Sequence, residues 1–169
     1  RTGIRKAATL HASAAALQVA IGLGPAAKYE EAIRWVRLAE VAIAQHGDPM
    51  GMYAIDHARV SGILHHRSGE WTRARASFER AIELAERNLG TQHPALTALM
   101  NDLGVAATGA GEHERAIELH QRALALNEAV LGSRHPSTGR SLSNIGVAQI
   151  SAGHAEEAVE TLERALRAR

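Results

Sequence analysis

Small apolar residues recur along the chain every 42 positions. In each interval a glycine or alanine is followed by an alanine 12 positions later, and by another after 7 more. Two antiparallel helices approach closely where small residues meet, because helix axes about 8–10 Å apart leave no room for long side chains. The pattern therefore predicts four helix pairs. The recurring positions are Ala20, Gly62, Gly104 and Gly146, then Ala32, Ala74, Ala116 and Ala158, then Ala39, Ala81, Ala123 and Ala165.

The linkers between these positions repeat as well. The motif Leu-Gly-x-x-His-Pro begins at Leu89 and again at Leu131, and Gly111 is placed to turn the chain between two helices. Asp48 is expected to cap a helix that has Pro49 in its first position. The predicted repeats span about 3–46, 47–88, 89–130 and 131–169. The predicted helices cover 3–23, 29–45, 49–66, 71–88, 94–108, 112–130, 136–151 and 154–168.

This spacing resembles the tetratricopeptide repeat. The long period with its Leu-Gly-x-x-His-Pro linkers is similar to the subtype of kinesin light chains and many bacterial signalling proteins. The resemblance covers nearly the whole chain and implies an all-α fold, a right-handed α–α superhelix of four helix-turn-helix repeats in a single domain, 1–169. The linker at 47–49 departs from the pattern because it is shorter and lacks the motif.

The resemblance also implies a protein-interaction module. The first helix of each pair lines the concave side of such arrays, where extended peptides or partner helices bind. In the family, asparagines in this part of the first helix often bond a peptide backbone, so Asn101 and Asn144 carry most weight, although either amide could instead bond a neighbouring helix. Arg59 and Arg140 favour an acidic partner, whereas Asp56 argues against a uniformly basic groove. The predicted groove residues are Asp56, Arg59, Ile63, His66, Asn101, Val105, Thr108, Arg140, Ser143, Asn144 and Val147.

The segment from Arg122 through the linker at Leu131 is similar to the C-terminal repeat arrays of bacterial serine/threonine protein kinases and NTPase regulators. This similarity implies a cytoplasmic signalling parent, of which the chain, beginning at Arg1 without methionine, is a fragment. No glycine loop or His-Arg-Asp motif of a kinase is present, so we expect no enzymatic activity in the chain itself. The alternative is self-association into a homo-oligomer through a last helix that exposes Ala158, Val159, Leu162 and Ala165.

Composition limits the possible ligands. The 19 basic and 18 acidic side chains give a net charge of +1, which offers no electrostatic footprint for nucleic acid. The chain has no cysteine, so it has neither a disulfide framework nor a thiolate site. The uncharged stretch between Lys6 and Lys28 contains several polar residues, a proline and glycines, so we expect no membrane insertion.

The 10 histidines raise the possibility of a metal site. His93 and His135 lie 42 positions apart beside proline in equivalent linkers, which favours a structural role in the repeat. His57, His65 and His66 lack the i,i+4 spacing with a third ligand that zinc sites use. We therefore predict no metal ion and no cofactor.

Three aromatic side chains, those of Tyr29, Trp71 and Phe78, are predicted to lie in the core. Tyr29 and Trp71 occupy equivalent positions, and Phe78 falls, with Val36 and Leu162, where the second helix of a pair packs on its neighbours. An aromatic platform for stacking nucleic-acid bases is accordingly not expected. No Gly-x-Ser-x-Gly elbow or paired carboxylates stand out, so no catalytic residue is predicted.

Overall fold

The computed structural model describes residues 29–46, 48 and 51–168, and every element within these residues is a helix. The all-α helical repeat fold is therefore as predicted. The predicted helix at 3–23 and Pro49 lie outside the described residues. The helices are α1 (Tyr29–His46), α2 (Met52–Arg67), α3 (Trp71–Leu89), α4 (Ala95–Gly109), α5 (His113–Leu131), α6 (Pro136–Ala152) and α7 (Ala155–Arg167).

The chain divides into two compact units, Arg1–Asn88 and Leu89–Arg169. In the second unit each helix contacts the next, and α4 also contacts α6. In the first unit α1 contacts α2 through a cluster that includes Val36, Val60 and Leu64. The division falls at the predicted boundary between the second and third repeats. The extent of the single predicted domain stays a prediction.

Close helix crossings occur at the predicted glycines, which are buried. Each faces a large side chain 16 positions later, on the second helix of its pair. A Cβ atom at any of these glycines would lie well inside normal contact distance of that side chain. The distances would be 2.7 Å from Gly62 to Phe78, 2.5 Å from Gly104 to His120 and 2.6 Å from Gly146 to Leu162.

The predicted alanines of the crossings are also buried wherever the structure describes them. This finding corrects the expectation that the last helix exposes Ala158 and Ala165. Both alanines face inward because α7 packs on α6, and Ala165 lies in a cluster with Leu142 and Ile145. The confirmed positions are Ala32, Ala39, Ala74, Ala81, Ala116, Ala123, Ala158 and Ala165.

The helix starts use two kinds of side-chain cap. The Nδ1 atoms of His93 and His135 accept the backbone N–H of the residue two positions on, at 3.2 Å each, which supports their predicted structural role. The α2 helix begins at Met52, later than expected, with Gly51 as its N-cap residue. The Oδ2 of Asp48 nevertheless accepts the N–H of Ala54 in the first turn at 2.8 Å.

The prediction that the aromatic residues are buried holds for Phe78 but is wrong for Trp71. Phe78 fills the space over Gly62. Trp71 is the first residue of α3, so it lies beyond the helix crossing and remains 38% exposed. One edge of its ring meets His66, with ring centroids 5.2 Å apart. The Tyr29 side chain lies outside the described residues.

Candidate interaction surface

The solvent-facing side of α4, here called its outer side, carries three of the predicted groove residues. Asn101 and Thr108 are half-buried and Val105 is exposed. Steps of four and three residues keep them on one face, because an α-helix has 3.6 residues per turn. The opposite face, which includes Leu103 and Gly104, is buried.

The outer side of α6 carries four more. Arg140 and Val147 are exposed, whereas Ser143 and Asn144 are half-buried. Ser143 donates its hydroxyl to the Gly139 carbonyl at 2.9 Å, so this hydroxyl is already satisfied within the helix. No residue of the described part of the chain is hydrogen-bonded to the Asn144 side chain. Both the oxygen and the N–H₂ group of Asn144 therefore remain available to a ligand.

The outer faces of α4 and α6 meet at a cleft in the second unit. The cleft has a volume of about 150 Å³. It brings together two predicted residues, Asn101 and Arg140, because α4 contacts α6 and the C-terminal end of α5 lies beneath them. We call it the junction cleft. Its polar lining consists of Thr97, Asn101, Asn127, Ser137 and Arg140, and its apolar lining consists of Pro94, Ala98 and Leu131.

Asn101 is bonded to a neighbouring helix, the alternative that its sequence position left open. Its Oδ1 lies 2.9 Å from Nδ1 of His120 on α5. An amide oxygen can only accept, so Nδ1 of His120 carries the hydrogen and donates it. The Asn101 oxygen therefore faces His120, and its N–H₂ group remains for other contacts.

His120 is a polar core residue that sequence reasoning missed. It is 2% exposed, and burial lowers its pKa to about 4, so the imidazole is neutral at physiological pH. The signal was present in the repeat register. His120 occupies the position of Phe78 one repeat earlier and Leu162 one repeat later, both recognised as packing positions.

Asn127 holds α5 to α6 below the junction cleft. Its Nδ2 donates to the Ser137 carbonyl and to the Ser141 hydroxyl, both at 3.1 Å. The residue is 2% exposed. These bonds hold the start of α6, which carries Arg140, against the end of α5. Asn127 was also missed, and it stands where the preceding repeat has Ala85.

The remaining predicted residues lie on the outer side of α2, in the first unit. Asp56 is exposed, and Arg59, Ile63 and His66 are half-buried. Desolvation raises the pKa of the Asp56 carboxyl, although the positive charge of Arg59 opposes this shift. Steps of three and four residues place these four side chains on one helix face.

A second cavity lies in the first unit between α1 and the α2–α3 pair. Its volume is about 380 Å³, and His57, His65, Glu40 and Glu70 are among the residues that line it. Burial lowers the pKa of His57, while the negative charge of Glu40 acts in the opposite direction. Across residues 29–46, 48 and 51–168, no three histidine or acidic side chains adopt an arrangement suited to a metal ion.

Paired helices, a 42-residue period and close glycine crossings define an α-helical repeat protein. The tetratricopeptide repeat model matches residues 54–129 and 109–169, and the chain belongs to this family. The predicted family is thus confirmed. Repeats of this kind generally mediate protein–protein interactions and are typically non-catalytic.

Solved structures support the same fold. BtubC (BKLC) from P. vanneervenii aligns with a TM-score of 0.76 and 23% identity, over 85% of this chain and 57% of its own. A protein from Podosopora anserina of kinesin light chain type, with nearly identical TPR-like repeats, aligns with a TM-score of 0.71 and 21% identity, over 84% and 67% respectively. A variant of that protein gives a TM-score of 0.72.

The chain thus spans 57% of the length of BtubC. No curated protein sequence gives a significant match. In the part of the chain that the structure describes, no helix is both long enough and apolar enough to cross a lipid bilayer.

Proposed function

We propose that this protein is a non-enzymatic interaction module, and that the outer faces of α4 and α6 bind a peptide or helix of a partner protein. The observation that carries the proposal is that apolar residues are exposed among polar ones on these two helix faces. Val105 and Val147 are 46% and 55% exposed, beside Asn144 and Arg140. Apolar side chains exposed among hydrogen-bonding groups are typical of peptide-binding surfaces.

Peptide selection tests this proposal without requiring that the partner be identified. Peptides are selected from a random library on the purified protein, and their affinities are measured by fluorescence anisotropy. Val147→Asp should weaken binding about tenfold or more, because it places a charge in the centre of an apolar contact. Val159→Asp adds the same charge on α7 and serves as the control. Equal losses with both variants, or no loss with Val147→Asp, would contradict the proposed surface.

We propose further that the module recognises partners for a larger cytoplasmic signalling protein of bacterial type, such as a serine/threonine kinase. The support is the similarity of the segment from Arg122 through the linker at Leu131 to the repeat arrays of such proteins. Sequencing of the encoding gene on both sides tests this assignment. An uninterrupted reading frame that encodes a kinase or NTPase domain is the expected outcome, and a frame without either domain would refute it.

A second candidate function is self-association through α7. Val159 and Leu166 are 59% and 69% exposed, whereas Ile117 and Leu124 at the equivalent positions of the preceding repeat are buried. In that repeat α6 packs against α5 and covers the equivalent face. A second copy of the chain would remove the exposed apolar side chains of α7 from water.

Sedimentation velocity at several concentrations tests self-association. A dimer should form as concentration rises, and a variant with both Val159→Asp and Leu166→Asp should remain monomeric, because two buried charges oppose the contact. Val147→Asp is the matched control and should leave the dimer unchanged. A parent protein that stays monomeric throughout would exclude this function.

A further inference from the structure

The exposed side of α7 carries a row of apolar residues with the spacing of a helix–helix seam. The row consists of Ala155, Val159, Leu162 and Leu166, at steps of four, three and four residues. Leu162 is half-buried because it packs over Gly146, and the other three are exposed. Steps that alternate between three and four keep side chains on one narrow stripe of an α-helix, as in the contact between two coiled-coil helices. We call these four residues the α7 stripe.

The charges of α7 are divided between its two ends. The first turn carries Glu156 and Glu157, and the last turn carries Arg164 and Arg167. Eleven residues make about three full turns, so Glu156 and Arg167 lie on the same flank of the α7 stripe. Both are exposed, and Nη1 of Arg167 lies 3.6 Å from Oε2 of Glu163 on that flank. One end of the stripe is therefore bordered by negative charge and the other by positive charge.

A second copy of α7 can meet this stripe in two orientations. If the two helices run parallel, Glu156 faces Glu156 of the second copy and Arg167 faces its Arg167, so like charges repel. If they run antiparallel, each Glu156 comes beside Arg167 of the second copy, and the opposed helix dipoles also attract each other. Because a twofold axis brings the same patch of both copies together, both charge pairs form at once. The α7 surface is thus complementary to an antiparallel copy of itself.

We propose that the protein forms a twofold-symmetric dimer in which two α7 stripes pack antiparallel, with Val159 opposite Leu166 of the second copy and Glu156 paired with its Arg167. This inference rests on self-association, the second candidate function, and adds the orientation and the charge pairs of the contact. The 13 residues of α7 give a contact about 20 Å long. Such a contact buries less than the about 800 Å² per partner of a standard interface, so we expect a dissociation constant on the order of 10–100 μM.

Spin labels measure the orientation of the two helices, because the chain has no cysteine of its own to be labelled as well. One variant carries the label at Ala155→Cys and the other at Glu163→Cys, each at a concentration where the dimer predominates. In the antiparallel dimer the Ala155→Cys labels lie at opposite ends of the contact and the Glu163→Cys labels lie near its centre. Electron paramagnetic resonance should therefore give a distance about 10 Å or more longer for Ala155→Cys. Equal distances would show a parallel pair and overturn the proposal.

Charge reversal tests the proposed pairs by sedimentation velocity. Arg167→Glu should weaken the dimer about tenfold, because both symmetry-related pairs become repulsive. In a parallel pair the same substitution would exchange one repulsion for another and leave the affinity unchanged. Glu156→Arg added to Arg167→Glu should restore the dissociation constant to within about threefold of the parent value. Arg122→Glu makes the same change on the exposed side of α5 and, as the control, should alter it less than about twofold.

The outcomes separate the orientation from self-association itself. A parent protein that stays monomeric at every concentration would refute both. A dimer that is lost with Val159→Asp and Leu166→Asp but is insensitive to Arg167→Glu would leave self-association standing and refute the antiparallel pairing. Equal losses with Arg122→Glu and Arg167→Glu would indicate an effect of overall charge and would refute the pairs as well.

Discussion

Two buried polar side chains stand where the preceding repeat has an apolar one. His120 corresponds to Phe78 and Leu162, and Asn127 corresponds to Ala85. Both of these groups are paired, since His120 bonds Asn101 and Asn127 bonds Ser141. Both pairs lie next to the junction cleft, because Asn101 and Asn127 line it. These pairs lie within the third repeat and at its contact with the fourth.

Protonation of His120 should make the protein less stable in acid. Its pKa is about 4 in the folded chain and 6.5 for an ordinary histidine, so the unfolded chain binds more protons between these values. The free energy of unfolding should therefore be fully retained above pH 6.5 and fall as the pH drops to 4, by about 3 kcal/mol in total. Urea unfolding at a series of pH values measures this loss.

His120→Phe is the control for that measurement. A phenyl ring fits the equivalent space over Gly62, so the variant should fold. Because the two proteins differ only at position 120, the difference between parent and variant isolates His120. A difference that does not change between pH 6.5 and 4 would contradict the assigned pKa.

An added methyl group should destabilise the protein to a different extent at each glycine crossing. Gly104→Ala should lower the free energy of unfolding by about 1–3 kcal/mol, because the His120 ring is rigid and lies 2.5 Å from the new carbon. Gly146→Ala should cost less, since the Leu162 side chain it meets can rotate. Chemical denaturation of both variants gives the comparison. Relief of the Gly104→Ala loss by a second substitution, His120→Ala, would confirm overpacking, and equal stability of variant and parent would refute it.

Helix boundaries followed the sequence pattern closely where caps and turns repeat. For example, α3 was expected at 71–88 and spans Trp71–Leu89, and Gly111 turns the chain with φ of 80°. The start of α2 was misplaced because the linker before it lacks the Leu-Gly-x-x-His-Pro motif. There the cap comes from Asp48, which reaches past Gly51 to the first turn. The start of this helix thus depends on a local side-chain cap, which the spacing of small residues does not predict.

Removal of this cap should weaken the first turn of α2. Asp48→Ala leaves the Ala54 N–H without its partner and should lower the free energy of unfolding by about 0.5–2 kcal/mol. Asp48→Asn retains an acceptor oxygen and should recover most of this loss. Thermal unfolding followed by circular dichroism measures both variants. Equal melting temperatures for Asp48→Ala and the parent would show that the bond contributes nothing.

The outward faces of the first helices were predictable from sequence, but the use of each side chain on them was not. Val105 and Val147 lie exposed, as the register requires. The partner of Asn101 depended on a histidine in another helix, which spacing along one helix does not reveal. The cleft that Asn101 shares with Arg140 likewise forms only when α4, α5 and α6 are packed together. Three-dimensional packing therefore supplies the chemistry of the candidate site, and periodicity supplies its location.

The fold of the molecule depends on the repeat period more than on the identity of most residues. Structures only 21–23% identical to this chain align with TM-scores of 0.71–0.76. In this chain the recurring small residues at helix crossings set the distance between helices. The boundary between the two compact units also falls between predicted repeats. Most positions thus differ between chains that share this fold.

The position that packs over each crossing glycine shows how much a core side chain can differ between repeats. It holds a benzene ring at Phe78, an imidazole at His120 and a branched alkyl group at Leu162, with a glycine beneath every one. The crossing accepts a bulky side chain, and a polar one where a neighbouring helix pairs with it, as Asn101 pairs with His120. A single substitution in one repeat can thus bring an ionisable group into the interior, provided that such a partner is present.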